Sequence, residues 1–562
     1  MKQAILIKYQ RSGAYGIKVL FPFSYSEVTK VKSLPGRKYH PKDKLWTCPL
    51  SLEAAEMLKR WQYIMDPKIL KFMDSAKIDI LELDNDIDIP GIKQELYPFQ
   101  KQGVSFIEAK NGRALIGDEM GLGKTIQALA WLQLHPELRP ALIVCPASLK
   151  LNWEREAELW MEDPQVEVIS GKKPYILTGQ IIIMNYDILP NKYKKEKNRA
   201  GKIVDVEILR TGWIDYIIDI KPKVAVADEV HYTKSGKAHR TKALKKLAKA
   251  VPNFIGLSGT PIINRPVEFF NIINIIDRTV FPDYWKFTKR YCDAKRNGFG
   301  WDMSGSANTE ELHKILTERI MIRRLKKDVL KELPDKSYSF IPIELDNQNE
   351  YDSAEKNFLS WVKKHKGAEA VERASNAQAL AEIEGLKQIA VRGKLKQAIK
   401  WIEDFLESDQ KLVIFATHKF VIAHLMDSFK NIAVKVDGSV SGTNRQLAVD
   451  KFQNDVKTRL FIGNIKAAGV GLTLTASSSV VFLEYPWTPG ELSQASDRVH
   501  RIGQENAVNI YYLLAEYTIE EQIAELLDEK RKVLDSVLDG KRPEKGSLLM
   551  DLITKYSKDE TN

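Results

Sequence analysis

The sequence predicts an α/β protein of two parallel-sheet lobes with helical insertions, preceded by a small α+β domain. Three observations predict it. Short apolar runs alternate with helical stretches from residue 113 to 261, the mark of strands buried on both faces of a parallel sheet. The same alternation returns between residues 411 and 483. The first 50 residues instead alternate apolar with polar, as half-exposed strands do. At 562 residues the chain exceeds one core. No uninterrupted apolar run approaches the roughly 18 residues of a membrane span, and the N-terminus is charged too soon for a secretory signal. Cys48, Cys145 and Cys292 lack metal-ligand spacing, which fits a reducing interior without disulfides. A net charge of +11 with pI near 9.1 favours a polyanionic partner.

The front of the chain holds much of that charge: ten Lys and Arg face two acidic residues in positions 1–50. Ala4–Ile7 and Tyr15–Phe21 read as strands, and Pro41-Lys42-Asp43 as a turn joining two shorter ones. That pairing brings Tyr39 and Trp46 beside Arg37 and Lys38. The group reads either as a surface for phosphate contact and base stacking or as the core of a small domain. Ser51 is the expected N-cap of a helix through Trp61. The acidic stretch Leu83–Asp88, closed by Pro90-Gly91, reads as a linker and sets a boundary near residue 88.

Next comes Gly117-Asp118-Glu119-Met120-Gly121-Leu122-Gly123-Lys124-Thr125, between the apolar run Arg113–Ile116 and the helical Ile126–Leu132. A Gly-rich turn opening a helix offers backbone N–H groups and a positive helix end to an anion. Lys124 is placed to reach β/γ-phosphates and the Thr125 hydroxyl to hold Mg²⁺. One departure stands out: Asp118 occupies the position where the phosphate-loop pattern has Gly. Upstream, the Gln100 amide can read both edges of adenine, with one donor and one acceptor. Downstream, Ala141–Cys145 and Ile181–Tyr186 are buried strands. Val224–Ala227 ends in Asp228-Glu229, which fits a second Mg²⁺ anchor and a water-orienting carboxylate. Ile255–Pro261 is a strand ending in a hydroxyl-rich turn. Lys192, Lys194, Lys195, Lys197, Arg199 and Lys202 form a basic loop, read first as a solvated insertion and second as a DNA contact. Residues 266–335 are mostly helical, and 347–390 helical and polar with no stable core expected.

The second lobe carries strands at 411–416, 459–463 and 480–483. Gly469 and Gly471, in Ala467–Thr475, allow close backbone approach to a phosphate or a facing domain. Arg498 and Arg501 fall i, i+3 in Gln494–Gln504, as if on one helical face, which suits an arginine finger. An apolar stripe from Ile519 to Leu538 reads as a brace helix, and the charged tail from Gly540 as flexible.

Taken in order, Leu96–Gln100, Asp118–Thr125, Asp228–His231, Leu257–Pro261, Ala467–Thr475 and Gln494–Gln504 resemble the motifs of SWI/SNF-type superfamily-two DNA translocases. That family's phosphate loop reads Asp-Glu-Met-Gly-Leu-Gly-Lys-Thr, so Asp118 becomes part of the likeness. The resemblance implies two RecA-like lobes. It implies ATP held by Gln100, Asp118, Gly121, Gly123, Lys124, Thr125, Gly469 and Gly471, with Mg²⁺ on Thr125 and Asp228. Catalysis would fall to Lys124, Asp228, Glu229, Arg498 and Arg501. Ser258 and Thr260 would couple nucleotide state to the track, and Asn185 and Thr473 would touch DNA. The stretch Arg37–Trp46 is similar to the HARP domain of annealing helicases, as Val499–Gln504 is to that branch, which adds Arg37, Lys38, Tyr39 and Trp46 as DNA contacts. The expected domains are 1–88 HARP-like, 89–340 the first lobe with a helical protrusion at 266–335, 341–540 the second lobe, and 541–562 the tail. The expected protein is a monomeric, intracellular motor on double-stranded or branched DNA: cytoplasmic or nucleoid-bound in a prokaryote or virus, nuclear in a eukaryote. An RNA-directed helicase and the motor subunit of a larger DNA-processing or defence assembly are the alternatives.

Overall fold

Alternation of apolar and polar side chains builds the first sheet. β1 (Gln3–Lys8) and β2 (Tyr15–Leu20) pair antiparallel, with Ala4 opposite Val19 and Leu6 opposite Ile17. β3 (Lys38–His40), β4 (Leu45–Pro49) and β5 (Ile64–Met65) complete it in the order β3-β4-β2-β1-β5. Tyr39 faces Trp46 across the expected hairpin, ring centroids 5.0 Å apart. Trp46 leans on the small core of Ala4, Ile17, Val19, Leu34 and Leu58, whereas Tyr39 is 44% exposed. The two readings of this pair therefore divide between the two rings. Ser51 caps the helix Leu52–Arg60, its Oγ accepting from the Ala54 N–H at 3.2 Å.

The structure is a computed structural model describing residues 2–9, 15–41, 43–75, 83–197, 203–259, 266–297, 300–303, 305–364, 372–468 and 471–527. Two units make it up, the first holding the residues up to Glu119 and Gly123–Leu325, the second Met120–Leu122 and the residues from Lys326. Beyond the small sheet, the first unit contains β6 (Arg113–Ile116), β7 (Ala141–Cys145), β8 (Val166–Val168) and β9 (Ile181–Asn185). A protruding hairpin follows, β10 (Lys192–Lys197) and β11 (Ile203–Ile208), then β12 (Val224–Asp228) and β13 (Asn253–Leu257). Helices Pro266–Ile276, Tyr284–Tyr291 and Thr309–Arg319 surround a minor hairpin, β14 (Lys295–Asn297) and β15 (Gly300–Asp302), before β16 (Met321–Ile322). Seven of these strands form one all-parallel sheet in the order β16-β6-β13-β12-β7-β9-β8. Every residue of β7, β9 and β12 is buried, which is why these strands read as unbroken apolar runs.

The second unit repeats the plan. β17 (Lys336–Ile343), β18 (Leu412–Ala416), β19 (Ala433–Val436), β20 (Leu460–Asn464), β21 (Ser479–Phe482) and β22 (Val508–Ala515) form a parallel sheet ordered β17-β22-β21-β18-β20-β19. The stretch expected to lack a core does not lack one. Helix Gln348–Lys364 buries Tyr351 and Phe358, and the 35-residue helix Glu372–Leu406 buries Ile383, Leu386, Ala390, Leu395, Ala398 and Ile402. With Val391, also buried, spacings of three and four residues run from Ile383 to Ala390 and from Val391 to Ile402, a stripe which the many polar residues between them obscure. The described part of the brace helix, 519–527, buries Ile519, Ile523 and Leu527; its continuation to Leu538 and the tail lie outside the described residues. All three cysteines are buried thiols. No described helix is long and apolar enough to cross a membrane, and no described His, Cys, Asp and Glu cluster as a metal site.

Candidate functional site

Four neighbouring strands deliver the site. Ile322, Ile116, Leu257 and Asp228 stand side by side in register across β16, β6, β13 and β12. The residues that follow each, Arg323, Gly117, Ser258 and Glu229, therefore emerge at one level along the carboxyl edge of a parallel sheet, where such folds bind ligands.

The loop after β6 turns through Gly121 and Gly123, at φ +89° and +73°. Gly123 is the N-cap of helix Lys124–Leu134, and a Cβ there would lie 2.4 Å from Gln100 Nε2. Glycine is thus required twice over, for its conformation and for space. Lys124 Nζ donates to the carbonyls of Asp118 and Glu119 at 2.9 and 3.3 Å, folded onto its own loop. A positive helix end, a lysine held over the loop and a cradle that no side chain can fill suit a polyphosphate. The Thr125 hydroxyl and the Asp228 carboxylate are hard oxygen donors of the kind Mg²⁺ takes.

Asp118, the departure from the phosphate-loop pattern, has a structural explanation. Its fully buried carboxylate accepts from Arg324 Nε (3.0 Å), Arg324 Nη2 (2.5 Å), the Arg324 backbone N–H (3.0 Å) and Gln127 Nε2 (3.0 Å). Arg324 also donates to the Phe99 carbonyl and lies over the Phe99 ring. The carboxylate expected among the nucleotide ligands thus anchors the loop from within. Gln100 packs its amide nitrogen on Gly123, and its Oε1 accepts from the Tyr97 N–H at 3.1 Å.

Asp228 is held by Trp153, whose Nε1 donates to Oδ2 at 2.8 Å, and its own carbonyl accepts from the Tyr186 hydroxyl at 2.7 Å. Burial and the neighbouring Glu229 charge push its carboxyl above the usual range, against the pull of Trp153 and Lys124. A bound cation would favour the ionised form. Glu229 sits at φ +49°, a left-handed conformation uncommon outside glycine, which aims its side chain apart from the strand's alternation. Its Oε2 lies 3.2 Å from His231 Nδ1, which is 3.1 Å from Ser258 Oγ, so the acidic pair and the hydroxyl turn share one network. Thr260 lies outside the described residues. Trp153, Tyr186 and Arg324 escaped the sequence reading because they sit in a helix, a turn and a linker with no spacing relation to the motifs they serve.

In the second unit, Arg498 and Arg501 converge but not on a helix. Helix Pro489–Ser496 stops before them, and both extend from the following turns. Arg498 Nη1 and Arg501 Nη1 donate to the Leu472 carbonyl at 3.5 and 3.0 Å, and Arg501 Nη1 also to Thr473 Oγ1 at 2.9 Å. The helix is cut short where Asp497, buried, accepts from Lys326 (2.8 Å) and Lys336 (2.6 Å), tying the chain to the start of this unit. His500 is pressed down to about 4 by burial and by the same two lysines. It therefore stays neutral, with Nε2 donating to the Pro334 carbonyl at 2.7 Å. Gly471, at φ +72°, permits the turn that presents Leu472; Gly469 lies outside the described residues. Of the expected DNA contacts, Arg37, Lys38, Tyr39 and Thr473 are exposed and Trp46 half-buried. Asn185 is buried, with Nδ2 donating to Asp187 Oδ2 at 3.4 Å.

The SNF2-related domain family matches residues 99–393, and the helicase conserved C-terminal domain residues 393–503. A Caenorhabditis elegans homolog of SWI/SNF-related matrix-associated actin-dependent regulator of chromatin subfamily A-like protein 1 is 32% identical over 581 residues, covering 96% of this chain and 77% of that protein. The human DNA annealing helicase and endonuclease ZRANB3 is 36% identical over 483 residues, covering 82% of this chain but only 42% of that protein. The Sulfolobus solfataricus SWI2/SNF2 ATPase core in complex with dsDNA aligns over 80% of this chain and 94% of that one at 24% identity, with a TM-score of 0.38.

Proposed function

This chain belongs to the SNF2-related, helicase-like ATPase family, and from that premise we propose that it is an ATP-driven motor on double-stranded DNA that rewinds or branch-migrates forked strands. The observation that carries the reading is the register row, which sets Lys124's loop, Ser258 and the Asp228-Glu229 pair on adjacent strands. In this mechanism Lys124 and the N–H groups of the glycine loop hold the phosphates, and Thr125 and Asp228 hold Mg²⁺. ATP supplies the phosphoanhydride bond, and Mg²⁺ neutralises charge on its oxygens. Glu229, swung out by its left-handed backbone, orients the attacking water and takes up its proton. Arg498 and Arg501, both turned onto the Leu472 carbonyl, carry the paired charge that an arginine finger needs. His231 passes the state of the acidic pair to Ser258, the start of the coupling segment. The exposed Arg37, Lys38 and Tyr39 of the front domain serve as readers of branched DNA. The name of one relative, a DNA annealing helicase, supports the strand-rewinding part of the reading.

The test is ATP hydrolysis by the full chain with single-stranded, duplex and forked DNA and with RNA duplex, beside a strand-rewinding assay. The expected result is strong stimulation by duplex and forked DNA, with rewinding that requires ATP. Stimulation by RNA alone would overturn the reading in favour of an RNA-directed helicase.

A further inference from the structure

The described residues of the basic insertion after β9 form a hairpin in the first unit. β10 and β11 pair along their full length, from Lys192 opposite Ile208 to Lys197 opposite Ile203. Tyr193 stacks on His239 with ring centroids 3.8 Å apart, and Lys242 Nζ lies 5.1 Å over the Tyr193 ring, so the hairpin is braced against helix His239–Ala250. Between hairpin and helix opens a pocket of about 360 Å³ whose lining includes Lys172, Lys192, His239 and Arg240, with Asp187 its one acidic side chain.

Charge on this face is sorted rather than balanced. Among the described residues 192–197 and 203–210 stand five Lys and Arg and three acidic residues. The acids are engaged within the unit: Glu207 by Asn191 (2.7 Å) and Lys246 (3.7 Å), Asp205 by His239 (3.5 Å), and Glu196 by Lys194 (2.6 Å). Lys172, Lys192 and Lys195 are exposed. A solvated insertion has no need of a built pocket, and this one gathers three cations, Lys172, Lys192 and Arg240, against Asp187 alone. The pocket also reaches the chemistry. Tyr186 forms one wall, and its hydroxyl bonds the Asp228 carbonyl. Tyr186 stacks on Tyr232 with centroids 5.5 Å apart, and Arg240 donates through Nε to the Tyr232 carbonyl at 2.8 Å.

We propose that the pocket between the β10–β11 hairpin and helix His239–Ala250 binds the phosphodiester backbone of the DNA, with Lys172, Lys192 and Arg240 as its cations, and that its occupancy reaches the Asp228 strand end through Tyr232 and Tyr186. This deepens the DNA-motor reading and rests on it. Phosphate contacts of this type hold and orient without reading sequence.

The test measures binding of fluorescently labelled duplex and forked DNA to the full chain and to its Lys172→Ala/Lys192→Ala variant, across salt from about 50 to about 200 mM. Both lysines are exposed, so an unchanged melting temperature controls for folding. Each lost phosphate contact removes about 0.9 from the slope of log K against log salt, so the variant should lose up to about 1.8 and bind several-fold more weakly. Replacement by arginine should restore the slope. An unchanged slope, with wild-type protein binding normally, overturns the site and leaves the motor reading intact. If millimolar inorganic phosphate fills the pocket while the DNA slope is the same in both proteins, the ligand is a free anion and the proposal fails. Absence of DNA binding by the wild type removes the motor reading, and this site with it.

Discussion

Replacing Arg324 by methionine keeps the length of the side chain and removes its charge beside Asp118. The structure sets the scale. Asp118 is 0% and Arg324 7% exposed, and two of the four hydrogen bonds reaching the carboxylate come from the guanidinium. Charge-assisted bonds of this kind are worth about 1.5–3 kcal/mol each, and stripping one partner from a buried ion pair costs about 3–5 kcal/mol. Both routes predict about 3–5 kcal/mol for Arg324→Met. The anchor lies within one of two units, so a local probe reads its loss most directly. Amide hydrogen exchange across β6 and the helix Lys124–Leu134 reads the loss where it falls. Protection there should drop by ~100-fold or more, with the second unit unaffected. Adding Asp118→Asn removes the stranded charge but keeps an oxygen for the Arg324-position N–H, so the double variant should regain much of the protection. A cost below about 1 kcal/mol, the range of exposed pairs, would refute the claim that Asp118 is a buried anchor.

Trp153→Phe removes the indole donor from Asp228 and opens space around a fully buried side chain; turnover should fall by roughly 10- to 100-fold at limiting Mg²⁺ and recover in part at saturating Mg²⁺, and unaltered Mg²⁺ dependence would show that the bond is idle. A pH effect is expected at His418, which donates to Glu484 through both its backbone N–H (2.9 Å) and its ring. The Glu484 carboxylate, then Glu384, raise the His418 pKa against burial and Lys387. A raised folded pKa means the stabilisation is complete below the unfolded value near 6.5 and is lost as pH rises through the folded one. The melting difference between wild type and His418→Gln should therefore be widest at about pH 6 and shrink towards pH 9; a difference constant over that range would count against the pair.

Much of this was legible in the chain. Parallel strands buried on both faces write themselves as continuous apolar runs, so Ala141–Cys145, Ile181–Asn185, Val224–Asp228 and Leu412–Ala416 needed no structure to be found. Loop chemistry was legible too, since glycine at positive φ and lysine at a helix start are local demands. What stayed hidden was long-range. Nothing in the sequence ties Arg324 to Asp118, 206 residues away, or Trp153 to Asp228, because a hydrogen bond between distant segments leaves no period to detect. The arginine pair was misread for a related reason. Spacing alone placed Arg498 and Arg501 on a helix, but Asp497's two lysine partners end that helix at Ser496. The buried stripe of Glu372–Leu406 was overlooked because its polar residues outnumber the core-facing ones.

The register row fixes a common origin from which four segments are measured. Along a strand each residue advances about 3.3 Å and reverses facing. Deleting one residue from β6, β12, β13 or β16 would retract its cargo by that distance and turn it to the other side of the sheet, while its neighbours held still. Length changes within these four strands are thus forbidden, whereas the segments entering them from the opposite edge can grow or shrink without moving the origin. The helices and hairpin between β13 and β16 belong to the connection that enters β16 from that opposite edge. A motor of this design can lengthen almost anywhere except across the few residues that keep its strokes in step.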